Sequence, residues 1–563
     1  MMRHFIGKLT FVLGCAACTA LPARAQTTNH NFEVMKHLDI FNQLYRELDL
    51  FYVDTLSAKK NIGNAINYML EMIDPYTEYY AAENTNDLKQ MTTGKYAGIG
   101  SVISYRDELK RCIIEKPYEG NPAADAGLLP GDIILAIDGK DIPTCDSKDL
   151  EKRAEYSNSV STGVRGEPGT TLELKVRRPT NNRTYTFKVT RRSILIPSVA
   201  LATVLSDSIG YIKITQFIEG TSNEVRRAMV DLKQQGARSL ILDLRNNPGG
   251  VLEEAVKTVN LFIPRGREVV NMKGKVKEAN QTYKTVLDPQ DPDIPLIVLT
   301  NEQSASSSEI TAGVLQDYDR ALIVGRRTYG KGLVQQSREL AYKGALKLTV
   351  GKYYIPSGRC VQAYEFRDGM PVHRPDSLSR EFRTANGRIV RDGGGIKPDV
   401  EIKSDSLPNL LAYMDASTQL FDFCVNYCAK HPKIAQPEDF SISDDEYADF
   451  CEFMKKHKFT YDRQSLRVLE TLKTFARFEG YDTEARAEIE ALEKKLKHNE
   501  DYDFKRWKPE IKKVLEAAIV ERYYFDAGRY RYLLRTDKEV QQAVKLMRNT
   551  KAMLKTLSGE PEA

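Results

Sequence analysis

Residues 240–250, Leu-Ile-Leu-Asp-Leu-Arg-Asn-Asn-Pro-Gly-Gly, decide the fold class of this chain. The segment begins as an unbroken apolar run and ends in polar residues and glycine, as a strand covered on both faces does where it enters a turn. Similar short apolar runs occur at residues 296–299 and 322–324, with helical patterns between the runs. Buried strands that alternate with helices predict an α/β layer domain, which we assign to residues 193–405.

Length and composition narrow the class of protein. At roughly 100–200 residues per domain the 563 residues predict three to five domains, and 41% hydrophobic with 28% charged residues favour packed domains over disorder. The 82 basic and 77 acidic residues give a net charge of +5, too near neutral to indicate a nucleic-acid partner. No apolar stretch after the N-terminus is long enough to span a bilayer, which excludes a polytopic membrane protein.

Residues 1–25 have the pattern of an export signal. Arg3 and Lys8 come first, an apolar run follows, and Ala23-Arg24-Ala25 offers a cleavage site between small residues. We therefore expect an exported protein of the periplasm or cell envelope. A second interpretation is a lipid anchor, because the Val-Leu-Gly-Cys that ends at Cys15 loosely resembles a lipobox. The short apolar run, interrupted by Lys8, favours the form without the lipid.

Two further regions have helical patterns. Within residues 26–85, apolar side chains recur every three or four positions, at Leu38, Phe41, Leu44, Tyr45 and Leu48. This face predicts packing on another helix or on a second subunit, and hence a homodimer formed through the N-terminal helices. Residues 406–563 are charged and helical, and their alternating acidic and basic side chains indicate a solvated face rather than a binding patch.

Residues 86–192 contain short β-type runs separated by glycine and proline turns. Among them, residues 121–139, Asn-Pro-Ala-Ala-Asp-Ala-Gly-Leu-Leu-Pro-Gly-Asp-Ile-Ile-Leu-Ala-Ile-Asp-Gly, clearly resemble a PDZ domain. The resemblance assigns the carboxylate-binding loop to Gly98, Ile99 and Gly100, whose backbone N–H groups would bind a terminal carboxylate. A peptide would then add as a strand to the adjacent sheet edge. The alternative is that these glycines only form tight turns.

Two segments of the α/β region carry candidate chemistry: residues 304–309, Ser-Ala-Ser-Ser-Ser-Glu, and residues 329–335, Tyr-Gly-Lys-Gly-Leu-Val-Gln. Ser306 and Glu309 have the spacing of a capping box, and this segment alone favours helix capping over catalysis. The same geometry suits a nucleophile, because the exposed N–H groups and the positive dipole end of a helix stabilise an oxyanion.

A serine nucleophile needs a base, and histidine is poorly placed to supply one. Of the seven histidines only His373 falls within residues 193–405, in a polar stretch typical of a surface loop. Lys331 can serve if desolvation lowers its pKa from about 10.4 toward neutrality, with Gln335 hydrogen-bonding the neutral amine. The alternative is a surface lysine in a glycine turn. A Walker A loop is excluded, because its spacing and its final hydroxyl are missing.

Taken with these segments, the chain resembles the carboxyl-terminal processing proteases, tail-specific serine peptidases of family S41 with a PDZ domain and a Ser/Lys dyad. The resemblance rests on motifs in the family's order, at residues 211–214, 243–250, 304–310, 315–318, 325, 330–335, 352–358 and 393–399. It implies N-terminal helices, a PDZ domain, a crotonase- and ClpP-like α/β peptidase core and a C-terminal helical domain. We expect the signal peptide at residues 1–25 and the domains at residues 26–85, 86–192, 193–405 and 406–563.

The resemblance also implies a role for individual residues and no metal or cofactor. Its expectations are Ser306 as nucleophile, Lys331 as general base, Gln335 as the residue that orients Lys331, the backbone N–H groups of Ser307 and of Gly249 or Gly250 as the oxyanion hole, and Glu309 as a support. Ser307 stands where the family usually has alanine, a change that leaves its N–H in place.

These expectations describe an exported serine endopeptidase that recognises protein C-termini through its PDZ domain. Its substrates would be unfolded or tail-exposed proteins that end in apolar or small residues. One alternative is a non-catalytic PDZ scaffold on an inactive peptidase fold, against which the intact Ser306, Lys331 and Gln335 argue. A second is an acyl-CoA enzyme of the crotonase type, which would have no use for an export signal or a PDZ domain.

Overall fold

A computed structural model describes residues 21–403, 407–496 and 500–559. The first 20 residues, with Cys15 and most of the expected export signal, lie outside the described residues. The chain divides between Tyr79 and Tyr80 into two compact units. In the part that the structure describes, no helix combines the length and the apolar character needed to cross a membrane.

The first unit is helical, as the N-terminal pattern predicts. Helix α1 spans Leu21–Phe51 and α2 spans Ala58–Glu71, where the hydroxyl of Ser57 caps the first turn by accepting from the N–H of Lys60 at 3.3 Å. The apolar side chains along α1 are exposed in the single chain, among them Phe32, Met35, Leu38, Phe41, Leu44 and Leu48. The short strand β1, Glu78–Tyr80, follows at the division between the units.

A small antiparallel β domain comes next. Its helices are α3 (Thr85–Thr93), α4 (Pro122–Asp125) and α5 (Leu150–Val164), and its strands are β2 (Lys95–Gly98), β3 (Ser101–Arg106), β4 (Arg111–Pro117), β5 (Ile133–Ile137), β6 (Lys140–Asp141), β7 (Thr171–Arg178), β8 (Arg183–Thr190) and β9 (Arg192–Leu195). One sheet has the order β3-β4-β5-β7-β8, with β6 beside β5, while β2 pairs with β9. Along β7 the side chains alternate between buried and exposed, because one face covers the domain core.

In the residues that the structure describes, the α/β core contains two large sheets and two small two-stranded sheets. Its helices are α6 (Thr221–Gln234), α7 (Leu252–Val259) and α8 (Ser307–Asp317), and its strands are β10 (Val199–Val204), β11 (Ile209–Ile214), β12 (Ser239–Asp243), β13 (Glu268–Gly274), β14 (Gln281–Lys284), β15 (Leu296–Thr300), β16 (Leu322–Gly325), β17 (Leu333–Glu339), β18 (Ala345–Tyr354), β19 (Tyr364–Arg367), β20 (Met370–His373), β21 (Glu381–Arg383), β22 (Ile389–Arg391) and β23 (Val400–Glu401).

The main sheet of the core has the order β10-β11-β12-β15-β16-β23 and is parallel except for β10. A second, antiparallel sheet joins β17, β18, β13 and β14. The apolar runs that decide the fold class form β12, β15 and β16, whose residues are buried throughout. Successive side chains of a strand point to opposite faces, so Leu240 and Leu242 join the cluster around α6, α7 and α8, while Ile241 joins another beyond the sheet.

The C-terminal region is helical, as expected. Its helices are α9 (Asn409–Asp415), α10 (Thr418–Lys430), α11 (Asp444–Lys456), α12 (Gln464–Glu479), α13 (Arg486–Leu496), α14 (Glu500–Arg506), α15 (Lys508–Leu534), α16 (Lys538–Arg548) and α17 (Thr550–Ser558). Helices α9–α11, α14 and α15 contribute to an apolar core of their own. Helices α16 and α17 instead cover the outer face of the main sheet, through Val540, Ala543 and Met553 among others.

Candidate active site

Three loops leave the carboxyl ends of neighbouring parallel strands and meet at one edge of the main sheet. The glycine loop, residues 244–250, follows β12; the serine loop, residues 301–306, follows β15; and the lysine loop, residues 326–331, follows β16. Ligands of open α/β sheets bind at this edge, where the carboxyl ends of the strands lie together. The topology therefore collects the serine, lysine and glycine motifs in one place.

A cavity of about 510 Å³ lies between these loops. Five of the residues singled out in the sequence line it: Ser306, Lys331, Gln335, Gly249 and Gly250. Its apolar wall was not predicted and comes from Leu88, Met91, Phe217, Ile218, Val251 and Leu252. Leu88 and Met91 lie on α3, more than 200 residues from Ser306, so no local sequence pattern could have assigned them to the site.

Ser306 has an unusual backbone conformation immediately before α8. Its φ is 53° and its ψ is −113°. A non-glycine residue in such a region costs about 1–3 kcal/mol and persists only where its surroundings fix it. Here the Ser306 N–H donates to Oε2 of Glu309 at 3.0 Å, and the Ser306 carbonyl accepts from the N–H of Ile310 at 2.9 Å. Strain of this kind is typical of functional residues, and it presents Ser306 to the cavity.

Glu309 connects the serine loop with the lysine loop. Its side chain is fully buried. Oε2 accepts from the N–H groups of Ser306 and Lys331, at 3.0 and 2.7 Å, and Oε1 accepts from the N–H of Gly330 at 2.7 Å and the hydroxyl of Thr328 at 2.6 Å. Burial raises the pKa of the Glu309 carboxyl above its usual range, although these four hydrogen bonds favour the charged form. A single carboxylate thus fixes the backbones of both motif residues.

The two candidate oxyanion glycines differ in their hydrogen bonds. The N–H of Gly249 donates to Oδ1 of Asn247 at 2.9 Å, so the glycine loop already uses it. Gly249 also lies against the serine, because an added Cβ would be 2.8 Å from Cβ of Ser306 and 2.6 Å from the carbonyl oxygen of Ala305. Gly250 has a φ of 139°. These contacts favour Gly250 over Gly249 as a donor toward the cavity.

Ser307, the departure from the family's usual alanine, makes a bond that alanine cannot make. Its hydroxyl donates to the carbonyl oxygen of Gly250 at 3.0 Å. The hydroxyl of Ser308 likewise donates to the carbonyl oxygen of Asn247 at 2.9 Å. The first turn of α8 is therefore fastened to the glycine loop at two points.

The lysine loop is packed too closely to allow a side chain beside Lys331. An added Cβ on Gly330, whose φ is 90°, would be 2.3 Å from Cβ of Ala363, and one on Gly332 would be 2.7 Å from the backbone nitrogen of Gln362. On β17, the side-chain amide of Gln335 donates to the hydroxyl of Thr349 at 3.2 Å, which orients the Gln335 side chain beside the cavity. The glycines around Lys331 thus serve close packing.

In the β domain, the predicted carboxylate-binding loop joins β2 to β3. Ile99 is buried, and Gly100 has a φ of 70°. An added Cβ on Gly100 would be 2.5 Å from Cβ of Asn121, so the turn requires glycine. β3 is an edge strand, and α5 packs beside it, with the rings of Tyr105 and Tyr156 in edge contact at 5.8 Å. An open strand edge next to a helix is the arrangement that peptide addition requires.

The one histidine within residues 193–405 is not among the residues that line the cavity. His373 lies on β20, in an exposed hairpin, where its ring contacts the edge of Tyr364 rather than the cavity. Among the residues described, no cluster of histidine, cysteine or acidic side chains is suited to hold a metal ion. The described lining of the cavity brings Ser306 and Lys331 together with the glycine loop, and it also includes Glu253, Tyr283 and Tyr353.

Three family descriptions match successive parts of the chain. Peptidase family S41 matches residues 208–371, the PDZ domain matches residues 113–178, and the family described as "Probable PDZ-protease, C-terminal helical domain" matches residues 410–547. The matches account for the α/β core, the small β domain and the C-terminal helices. The fold and the matches define a serine peptidase that carries a PDZ domain.

Relatives narrow this class further. The carboxy-terminal-processing protease of Bartonella bacilliformis is 33% identical over 65% of this chain and 82% of its own length. A probable CtpA-like serine protease of Staphylococcus epidermidis is also 33% identical, over 70% of this chain and 77% of its own. Among solved structures, the photosystem II D1 C-terminal processing protease is 26% identical, with a TM-score of 0.34 over 65% of this chain and 87% of that one. The chain belongs to the carboxy-terminal-processing proteases of family S41.

Proposed function

We propose that this chain is an exported serine endopeptidase whose catalytic dyad is Ser306 and Lys331. The observation that carries the proposal is the cavity that Ser306, Lys331 and Gln335 line together at the carboxyl edge of the sheet. The Glu309 carboxylate supports it, because it binds the backbone N–H groups of both dyad residues. The similarity to the carboxy-terminal-processing proteases supports a peptidase and not the inactive scaffold.

In this mechanism the hydroxyl of Ser306 attacks the scissile carbonyl carbon while the neutral amine of Lys331 takes its proton. The resulting ammonium then gives the proton to the leaving amine, and an acyl-enzyme remains on Ser306. Water attacks the ester, with Lys331 again as the base, and releases the second product. Gln335 would orient the amine of Lys331 through its side-chain carbonyl, because its amide N–H group already donates to Thr349.

The oxyanion of each tetrahedral intermediate would accept from the N–H groups of Ser307 and Gly250. Ser307 is the first residue of α8, so its N–H has no partner within the helix and lies at the positive end of the helix dipole. Gly250 is preferred to Gly249 because the Gly249 N–H donates to Asn247. The hydroxyl of Ser307 would hold the two donors at a fixed separation by binding the carbonyl of Gly250.

The proposed substrates are proteins whose C-terminal tail is unfolded and ends in apolar or small residues. The terminal carboxylate would bind the N–H groups of Gly98, Ile99 and Gly100, and the tail would extend β3 as an added strand. The apolar wall of the cavity, which includes Phe217 and Leu252, suits an extended chain with apolar side chains. We propose domains at residues 26–85, 86–192, 193–405 and 406–563.

Export follows from residues 1–25, which we interpret as a signal peptide that directs the chain to the periplasm or cell envelope. The lipid-anchored form would carry its lipid on Cys15. Mass spectrometry of the native N-terminus distinguishes the two: a mature chain that begins at Gln26 supports the soluble form, and an acylated Cys15 supports the anchor. An intact Met1 would contradict both.

The exposed apolar face of α1 supports a homodimer formed through the N-terminal helices, since a large unpaired apolar face marks an interface. Light scattering of the mature chain with and without residues 26–85 tests the dimer. We expect two subunits with this segment and one subunit without it, and an unchanged number of subunits would contradict the dimer.

The dyad itself is tested by cleavage of an unfolded reporter with an apolar C-terminal tail. Wild type is compared with Ser306→Ala and Lys331→Ala, and the reporter is compared with one whose tail ends in aspartate. We expect each substitution to lower kcat by about 100-fold or more, with folding unchanged by circular dichroism. We also expect the charged tail to raise KM. An active Ser306→Ala variant would contradict the dyad, and an inert wild type that binds the tail would favour the scaffold.

A further inference from the structure

The C-terminal helical domain contacts the peptidase core at the strand ends that carry the three active-site loops. Two carboxylates at the start of α16, Asp537 and Glu539, make this contact; we call them the helical-domain carboxylates. Asp537 binds Arg245 with both oxygens, at 3.0 and 2.8 Å, and Glu539 binds the same guanidinium at 2.5 Å. Asp537 also caps α16 by accepting from the N–H groups of Glu539 and Val540, both at 3.0 Å. The contact is therefore preorganised by the helix start.

Arg245 belongs to the glycine loop. Its guanidinium also binds Asp243, the last residue of β12, at 2.6 Å, and Asp243 in turn accepts from Tyr211 at 2.6 Å and Lys213 at 3.1 Å. Asp243 is fully buried. Burial alone would raise the pKa of its carboxyl, but the charges of Arg245 and Lys213 outweigh burial and hold that pKa below its usual range. Arg245 thus joins a buried charge network to the helical domain.

Glu539 extends the contact to the lysine loop. Its second oxygen accepts from Arg326 at 2.5 Å, and Arg326 is the first residue of that loop. The side chain of Glu539 is 11% exposed, so its ion pairs with Arg245 and Arg326 are largely shielded from solvent. Shielded, charge-assisted hydrogen bonds of this kind fix geometry more firmly than surface ion pairs do. One carboxylate outside the peptidase core therefore holds the entrances of two active-site loops.

Each of these arginines lies a few residues along the chain from a residue of the proposed mechanism. Arg245 precedes Gly250 by five residues, and in between the N–H of Asn246 donates to Oδ1 of Asn301, in the serine loop, at 2.9 Å. Arg326 precedes Lys331 by five residues in the lysine loop. Tertiary hydrogen bonds hold both loops along these paths, at Asn246 in one and at Gly330 and Lys331 in the other. Because closely packed structure transmits strain, a displaced arginine would shift the residues that follow it.

We infer that the helical-domain carboxylates are positioning residues of the peptidase, which set the glycine and lysine loops through Arg245 and Arg326. The C-terminal helical domain would then be required for full catalytic activity, because it positions two loops of the active site. The inference rests on the proposed Ser306 and Lys331 mechanism. It assigns Asp537 and Glu539 no contact with the substrate, so their effect should fall on turnover rather than on substrate binding.

The test measures kcat and KM on the apolar-tailed reporter for the full mature chain, for Ser306→Ala and for four further variants. Glu539→Gln and Asp537→Asn remove the charge and keep the shape, and Glu539→Asp keeps a carboxylate on a shorter side chain. Glu493→Gln is the matched control, because Glu493 also lies in the helical domain and pairs with Lys473, at 2.8 Å, far along the sequence from α16. Thermal unfolding of every variant is followed by circular dichroism.

We expect Glu539→Gln and Asp537→Asn to lower kcat by about 10- to 100-fold with KM within a factor of two, the size of effect that a small misplacement of catalytic groups produces. Glu539→Asp should recover part of the loss, and Glu493→Gln should match wild type. A purely structural contact would instead lower the unfolding temperature and leave the kcat of the folded enzyme unchanged, which would overturn the inference.

Ser306→Ala separates the two proposals in the same experiment. If wild type cleaves the reporter, Ser306→Ala does not, and Glu539→Gln and Asp537→Asn both match wild type, the inference fails while the proposed function stands. If Ser306→Ala cleaves as wild type does, the proposed function is wrong, and the inference that rests on it is wrong as well. Should Glu539→Gln not fold, Asp537→Asn and Glu539→Asp decide the outcome by the same comparison of kcat with KM.

Discussion

At the scale of single residues, the site depends on how closely Gly249 approaches Ser306. With its strained φ, Ser306 places its Cβ close to Gly249, and a side chain at position 249 would clash with that Cβ. The sequence identified both residues through the family resemblance, but it left open which glycine would serve the oxyanion. The choice between Gly249 and Gly250 depends on the hydrogen bond from the N–H of Gly249 to the side chain of Asn247. This bond depends on the folded conformation of the glycine loop, which the sequence pattern does not predict.

Gly249→Ala tests this close approach. The added methyl group would be 2.8 Å from Cβ of Ser306 and from the backbone nitrogen of Ser307, so the serine or the oxyanion donor must move. We expect kcat to fall by about 100-fold or more, comparable to the loss of an oxyanion donor. The measurement is steady-state cleavage of the tailed reporter, with folding checked by circular dichroism.

Gly236→Ala is the matched control for this substitution. Gly236 has nearly the same φ, 94° against 97° for Gly249, and an added Cβ there meets nothing within 4 Å. Both variants should lose about 1–2 kcal/mol of stability from the unfavourable φ, while only Gly249→Ala should lose activity. Wild-type kcat in folded Gly249→Ala would show that the site tolerates displacement of Ser306.

At the scale of elements, the sequence predicted the buried strands and the start of α8, and it identified Glu309 as part of a capping box. The Glu309 carboxylate does form its half of that box, at the N–H of Ser306. Its bonds to Gly330 and Lys331 could not be predicted, because they join segments more than 20 residues apart. Likewise, the apolar residues of α16 and α17 recur at helical spacing, which predicts an amphipathic helix. The spacing does not predict which face of the main sheet these helices cover.

The buried Glu309 predicts a pH dependence of stability. The pKa of its carboxyl is raised in the folded state by burial, above about 4.3 in the unfolded chain. A raised pKa means that the stability this group contributes is present below the unfolded value and is lost as the pH rises through the folded value. The free energy of unfolding of wild type should therefore fall relative to that of Glu309→Gln as the pH rises above about 4.3.

Urea unfolding of both proteins between about pH 4 and pH 8 measures this difference, and parallel curves would contradict it. The same variant should lose about 10- to 100-fold in kcat, because an amide in place of the carboxylate cannot accept from Ser306, Gly330 and Lys331 together. A Glu309→Gln enzyme with wild-type turnover would show that the loops hold the dyad without this side chain.

At the scale of the whole molecule, the C-terminal helical domain contacts both the PDZ domain and the peptidase core. Lys116 on β4 binds Glu521 at 2.6 Å and Asp526 at 2.5 Å, both on α15. Phe421 on α10 lies between the guanidinium groups of Arg106 and Arg522, 4.3 and 4.2 Å from its ring centre. The order of domains follows from local motifs. The contacts between the PDZ domain and the helical domain join residues more than 300 positions apart, so no single segment of the sequence predicts them.

Covalent labelling tests the central claim most directly. The mature chain is treated with a peptidyl phosphonate that reacts with activated serine hydroxyls, and the adduct is mapped by mass spectrometry. We predict a single adduct on Ser306, with the labelling rate lowered by about 100-fold or more in Lys331→Ala. An adduct on another residue, or an unchanged rate in Lys331→Ala, would contradict a Ser306 nucleophile activated by Lys331.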